Sequence, residues 1–256
     1  MRKHMLPFAL AIISLVSCTK DKPENNNGGN LPDPPPTAKV LKKLTQIENG
    51  ATTVYNLSYN NKQLVSIKTT DNSDVTTFDY DGDGNVVKVE SKDQTTHDIY
   101  QYVYEGGAPD RGTFKSYSID NGAETLEQDN VIHYTVAGGK VTKINMDMNV
   151  QQQELNFVLT YNNSGNVTKI ATEGSDAYWA EFTYGNKKPA FPKVFKYVLD
   201  QAGYSLHFFA SNTILSRHYH FAGSDDISQN VTYTYDADGN VLTSNDGTTQ
   251  STFTYE

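Results

Sequence analysis

The chain is poor in cysteine, tryptophan, positive charge and long apolar runs. Cys18 is its only cysteine. That excludes a disulfide within the chain, a cysteine cluster for metal and, past the N-terminus, a cysteine nucleophile. No stretch reaches the roughly 20 apolar residues that a membrane-spanning helix needs. Lys and Arg number 21 against 30 Asp and Glu, a net charge of −9. Such a balance argues against nucleic acid as a partner and against docking on anionic lipid headgroups. Catalytic patterns are missing too. There is no Gly-x-Ser-x-Gly elbow, no phosphate-cradling glycine loop and no His-Glu-x-x-His. Pairs such as Asp225 and Asp226, or Glu124 and Glu127, are expected by chance in an acidic chain and mark no glycosidase site. The sequence implies no cofactor, and a non-catalytic protein over an enzyme.

What is present begins at the N-terminus. Arg2, Lys3 and His4 precede an apolar run from Leu6 to Val16, broken by Pro7 and Ser14. Basic flank and length fit a secretory signal. Leu15, Val16, Ser17 and Cys18 close it and resemble a lipobox, the cleavage motif of bacterial lipoproteins. The resemblance implies cleavage after residue 17 and lipid on the Cys18 thiol. The partner it implies is a membrane, held through a lipid anchor. Cleavage removes Arg2 and Lys3 and no acid, taking the charge from −9 to −11.

Three regions follow: a signal at 1–17, a tether at 18–38 and a domain at 39–256. The tether carries Pro23, Asn25, Asn26, Asn27, Gly28, Gly29, Pro32 and Pro34, a composition that buries nothing and stays extended. Thr19, not Asp, follows Cys18, which by resemblance to lipoprotein sorting favours the outer membrane. Lys20 and Asp21 resemble the short charged signal of surface lipoproteins. Cell-surface display is therefore preferred to the periplasmic face.

The body of the chain repeats itself. Tyr59, Tyr80, Tyr134, Tyr161 and Tyr235 each end an alternating apolar segment and enter a turn rich in Asp, Asn or Gly. A second segment then returns, as in Val86 to Val89, Val141 to Ile144, Val167 to Ile170 and Val241 to Ser244. Alternation at period two buries one face of a strand. Glycine supplies the positive φ of the turn, and Asx side chains bond its backbone. The unit is a β-hairpin, with turns predicted at 60–63, 81–85, 137–140, 162–166 and 236–240. The fold class is all-β, a meander of consecutive antiparallel hairpins. Its apolar face carries Tyr59, Phe78, Tyr80, Phe157, Tyr161, Phe182, Tyr184, Tyr233 and Tyr235. Such a face cannot stay wet. The sheet must curl, receive a cover or bind a partner.

Tyr80-Asp81 with Gly84-Asn85-Val86, and Tyr235-Asp236 with Gly239-Asn240-Val241, resemble the YD repeats of Rhs and teneurin proteins. With the lipobox, the chain resembles YD-repeat-like lipoproteins of Bacteroidetes. The resemblance spans residues 40–256 and implies hairpins extending one long sheet, sometimes around a hollow. Near Tyr184 the rhythm breaks. Pro189 and Pro192 intervene, and Val194, Phe195, Val198 and Leu199 then recur at helical spacing, with Gly203 placed to cap. A short helical insertion is expected within 192–215, with a strand over 193–199 as the alternative.

Two groups of residues invite chemistry. Asp79, Asp81, Asp83, Gly84 and Glu90 match the calcium-loop pattern of an EF-hand. Strand-like flanks favour a bare carboxylate-rich turn instead. His218 and His220 share a face if extended, and could grip a transition metal with a third ligand. Trp179 and Tyr178 are candidates for stacking on a sugar, though burial is the commoner fate of such rings. The expected role is a membrane-anchored binding module for a glycan, a peptide or an envelope protein. A hydrolase-type enzyme assembled from distant strands and a purely structural envelope protein are the alternatives.

Overall fold

The structure, a computed structural model, describes residues 39–201 and 204–256. The signal, Cys18, the tether and Gly203 lie outside the described residues.

The hairpins form in sequence order. β1 (Leu41–Glu48), β2 (Ala51–Asn60), β3 (Gln63–Thr69), β4 (Val75–Tyr80), β5 (Val86–Lys92) and β6 (Thr96–Glu105) make the first part of the wall. β7 (Ala108–Asp120), β8 (Ala123–Ala137), β9 (Lys140–Met148), β10 (Gln153–Tyr161), β11 (Val167–Thr172) and β12 (Tyr178–Tyr184) continue it. β13 (Ile214–Phe221), β14 (Ile227–Asn230), β15 (Thr232–Tyr235), β16 (Val241–Asn245) and β17 (Thr249–Tyr255) complete it. All pairings are antiparallel, and β1 pairs with both β2 and β17. The 17 strands therefore make one nearly closed, barrel-like sheet. At Val231 one strand changes partner. β14 pairs with β13, β15 pairs with β16, and the Val231 N–H donates to Leu215 O at 2.7 Å between them.

The repeat has a shared geometry. Tyr80 lies opposite Val86 while Asp79 lies opposite Lys88, so an extra residue bulges from β5. The same shift occurs at Tyr59, Tyr104, Tyr161, Tyr184 and Tyr235. A bulge breaks the period of two. It explains why Val86 and Val89, Val141 and Ile144, and Val167 and Ile170 are all buried at a spacing of three. These rim tyrosines then reach back to the previous hairpin, except Tyr235, in whose strand Tyr233 Oη donates to Ile214 O at 2.8 Å instead. Tyr80 Oη donates to Leu64 O at 2.7 Å, Tyr104 to Val86 O, Tyr161 to Val141 O and Tyr184 to Val167 O. The ring packs inside while the hydroxyl satisfies a bulge carbonyl. Burial pushes the Tyr59 and Tyr80 hydroxyls up to about 12.

Every member of the predicted aromatic face points into the barrel. The sheet curls on itself, as period-two burial requires, and it also receives a cover. Tyr184 pairs with Ile214, so residues 185–213 replace a hairpin turn. The link starts ahead of the expected 192–215 and ends at 213, because Ile214 and Leu215 already belong to β13. The insertion folds back into the lumen. Val198 and Leu199 are fully buried, and Phe195 and Leu206 nearly so. Phe208 meets Phe78 at 5.4 Å, and Tyr204 stacks on Tyr100 at 6.3 Å. Among the described residues only Leu206–Phe209 is helical, a single turn labelled α1 that falls where the short helix was expected. Val194 to Leu199 are neither helix nor strand. Walls surround them on all sides, so helical spacing is not needed to bury them. Their backbone is tied instead by side chains. Tyr134 Oη donates to Leu199 O at 2.8 Å, and the Leu199 N–H donates to Ser205 Oγ at 3.2 Å. Asp200 accepts the Tyr204 and Ser205 N–H groups just ahead of α1.

Candidate functional site

The residues of the calcium-loop pattern do not converge. Asp81 Oδ1 accepts the Asp83 and Asn85 N–H groups at 3.0 and 2.8 Å, and Oδ2 accepts Asn85 Nδ2 at 2.8 Å. These bonds, those from the Asn85 side chain first, hold its carboxyl below the usual carboxylate range. Asp236 and Asn240 repeat the arrangement. Gly84 and Gly239 adopt φ of +74° and +83°, which closes both turns. Asp79 faces outward from β4 and Asp83 sits on the exposed turn. Glu90 is taken by Lys88 and by His97 Nε2 at 2.9 Å. The motif thus forms a self-satisfied Asx turn followed by a bulged strand. Among the described residues no three His, Cys, Asp or Glu side chains are placed to hold a metal.

Tyr178 and Trp179 are neighbours in sequence and separate in space, because period two sends them to opposite faces. Tyr178 points inward and donates to Gln201 O at 2.8 Å. Trp179 lies on the outer wall in a row with Ala171 and His220. The His220 ring stacks beside it at 5.2 Å and 10°, and His218 meets it edge-on at 4.7 Å. Lys169 Nζ lies 4.9 Å from the Trp179 ring centre. The two histidines do share a face. Asp226 joins them, with Oδ1 at 2.7 Å from His220 Nδ1 and Oδ2 at 3.1 Å from His218 Nε2. Asp226 raises the affinity of His220 for its proton, and His220 in turn lowers the carboxyl of Asp226. On sequence alone Asp226 reads as chance acidity. The signal that places it is the hairpin, in which Tyr219 faces Ile227.

Inside, sequence reasoning left His207, Arg217 and Asp246 without roles. His207 and Arg217 line a cavity of about 30 Å³ with Phe191, Thr213, Tyr233 and Phe253. That volume suits about one water molecule and no substrate. Burial, then the Arg217 charge, pushes His207 well below its usual range. Burial pushes Asp246 up to about 7 against the opposing pull of Arg217. The interior is a core with polar members.

No family model matches the chain, and no curated protein matches it. Solved structures similar to it include two porin-like proteins. One is a porin-like protein from Bacteroides uniformis ATCC 8492, with 13% identity over 87% of this chain and 99% of that one, at a TM-score of 0.37. The other is a porin-like protein from Bacteroides vulgatus ATCC 8482, with 11% identity over 85% and 99%, at a TM-score of 0.45.

The wall itself has a definite polarity. Outward positions carry Lys43, Lys88, Lys115, Lys143, Glu154 and Glu181, which face Asn56, Asp79, Ile99, Val158, Asp147 and Lys169 on neighbouring strands. A barrel crossing a bilayer presents an apolar band about 25 Å tall. Among the described residues this wall presents none. Exposed apolar residues such as Val103, Leu126, Leu215 and Leu242 are scattered over different strands.

Proposed function

We propose that the protein is an exported lipoprotein, held at the outer membrane by lipid on Cys18, whose barrel is a non-catalytic binding module. Its ligand is a glycan, a peptide or another envelope protein. The observation that carries this reading is the polarity of the barrel. A polar wall does not dissolve in hydrocarbon, and a lumen filled by residues 185–213 leaves no conduit. Membrane attachment then falls to the lipid, and binding falls to the outer surface. The hairpin with its Asx turn supports kinship with YD-repeat lipoproteins. The contact patch we favour is Trp179 with His218 and His220, where an aromatic edge adjoins groups able to donate and accept hydrogen bonds.

Palmitate labelling and fractionation test the anchor. Cys18→Ala is expected to abolish labelling and release the protein from membranes, and retention of both would sink the anchor. A pull-down of the lipidated protein from its own envelope, beside a glycan array, tests the module. A ligand captured equally by Trp179→Ala would remove the patch from the argument.

A further inference from the structure

The two ends of the barrel differ in charge, and the chain leaves from only one of them. The Val40 N–H donates to Glu256 O at 2.7 Å, and the Glu256 N–H returns to Val40 O at 3.0 Å. Both ends of the domain therefore sit at the rim that holds the turns at 61–62, 81–85, 138–139, 162–166 and 236–240. The insertion enters through this rim too. A tether running back from residue 39 starts here.

This rim is where unpaired lysines gather. Lys42, Lys62, Lys140, Lys187, Lys188 and Lys193 stand on it. None of the six belongs to an ion pair among the described residues. Four of the six place the ammonium over an aromatic ring. Lys42 Nζ is 5.3 Å from the Tyr59 ring centre, Lys140 5.1 Å from Tyr161, Lys187 6.0 Å from Tyr235 and Lys193 4.9 Å from Phe209. Ammonium groups held on ring faces, with no carboxylate partner, present their charge along this rim. The rim's acids are unevenly placed. Asp236 and Asp238 are bound by Lys39. Asp81, Asp83, Glu105 and Asp110 fall within the sector from β4 to β7, and Glu256 stands beside Val40. The basic arc runs through the rest of the ring, from the 138–140 turn past the insertion to the 61–62 turn.

The opposite rim is acidic. Its turns carry Asp71, Asp93, Asp120, Glu173, Asp176 and Asp225. Lys92 and Lys115 on that side are engaged by Glu124 and Asp129.

We propose that the tether-side rim is a docking face for anionic lipid headgroups. Net charge alone argues for repulsion, and the structure reverses that argument. Charges are screened within about 8 Å at physiological salt. Strands of this length, at about 3.3 Å per residue, hold the acidic rim more than twice that distance away. The membrane meets the lysine arc and is shielded from the rest. This inference rests on the lipid anchor of Cys18, which raises the local concentration of the rim at the bilayer, so each contact can be weak. The barrel then stands on its basic rim with the acidic rim outermost.

The test uses the chain from residue 18 onward carrying Cys18→Ser, so that no lipid contributes. The sheet closes entirely within residues 39–256, so this chain retains every strand. It is sedimented with phosphatidylglycerol–phosphatidylcholine vesicles and with phosphatidylcholine alone. Binding to the anionic vesicles only, lost at high salt, is expected. Lys62, Lys140, Lys187 and Lys188 changed together to Glu should lower the partition at least about tenfold, given the usual contribution of a lysine at such a surface. The same four changed to Gln should lower it less, and Lys68→Glu with Lys92→Glu on the other rim should leave it unchanged. Absence of binding at low salt, equal binding to neutral vesicles, or indifference to the four reversals would overturn the docking face. Unfolding curves of each variant confirm that the barrel is intact. Palmitate labelling of the native chain reports separately on the anchor. If labelling fails while vesicle binding persists, the anchor falls and the docking face stands.

Discussion

Two hairpins of this barrel share one geometry and differ in what joins their strands. Between β4 and β5, Tyr80 faces Val86 across the short turn 81–85, whose ends meet as the Asp81 N–H donates to Asn85 O at 2.9 Å. Between β12 and β13, Tyr184 faces Ile214, and the Gly185 N–H donates to Thr213 O at the same 2.9 Å. The register, the bulge and the tyrosine bond to the previous hairpin survive in both. The link may be an Asx turn or an entire insertion. The module therefore lies in the strand ends, and the link is free to acquire another task. Here that task is filling the lumen.

The severest way to break this comparison is to make the links equal. Replacing residues 186–212 with a copy of the 81–85 turn should leave the β12–β13 register possible and empty the core. We expect loss of cooperative unfolding and strong binding of a hydrophobic dye, and a sharp melting transition in this variant would contradict the assigned role. A milder form is Phe195→Ala. A buried aromatic removed from a packed site costs about 3–5 kcal/mol, readable by urea unfolding. Phe78→Ala on the facing wall should cost a similar amount, and the double variant less than their sum, because the rings meet at 6.5 Å.

Turn chemistry sharpens the other side. Asp81→Ala removes three hydrogen bonds from the short link and should cost about 1–2 kcal/mol. Calcium should not shift the melting temperature of the wild-type chain. An ion at 100 times its Kd would add about 2.7 kcal/mol, so a shift abolished by Asp81→Ala would restore the cation reading. Tyr161→Phe, which breaks one bulge bond and keeps the ring, should cost about 1 kcal/mol.

The smallest effect expected is on pH. The Asp246 carboxyl titrates near 7 when folded, well above its unfolded value. A raised pKa means the folded chain holds the proton more tightly, so its contribution is present at low pH and lost as pH rises through about 7. Arg217 opposes the burial, and the group is partly solvated, so the slope is modest. Melting temperatures from pH 5 to 8 should fall slightly, and Asp246→Asn should flatten the curve.

Much of the fold was legible because hairpins are local. Alternation at Leu155, Phe157 and Leu159 assigns a strand and its buried face without any distant partner. The turns at 81–85, 162–166 and 236–240 follow from Asx and glycine chemistry within a few residues. The insertion was legible as a break, marked by Pro189 and Pro192, and illegible in shape. Spacing at Val194, Phe195, Val198 and Leu199 resembles a helix, yet a segment enclosed by walls buries its side chains in any conformation.

The candidate sites divide in the same way. Pairing His218 with His220 needed only the period of a strand. Adding Asp226 needed the register of β13 against β14. Period two also separates Tyr178 from Trp179, and the closed interior makes the Tyr178 side the buried one. Sequence by itself determined the hairpins, their turns and which side chains turn inward, because those follow from interactions within some twenty residues. Tertiary structure alone decided that the sheet joins β1 to β17, that residues 185–213 fill it, and that charge divides between its rims. Closure and charge separation depend on where many short elements finish in space, and no local pattern encodes that.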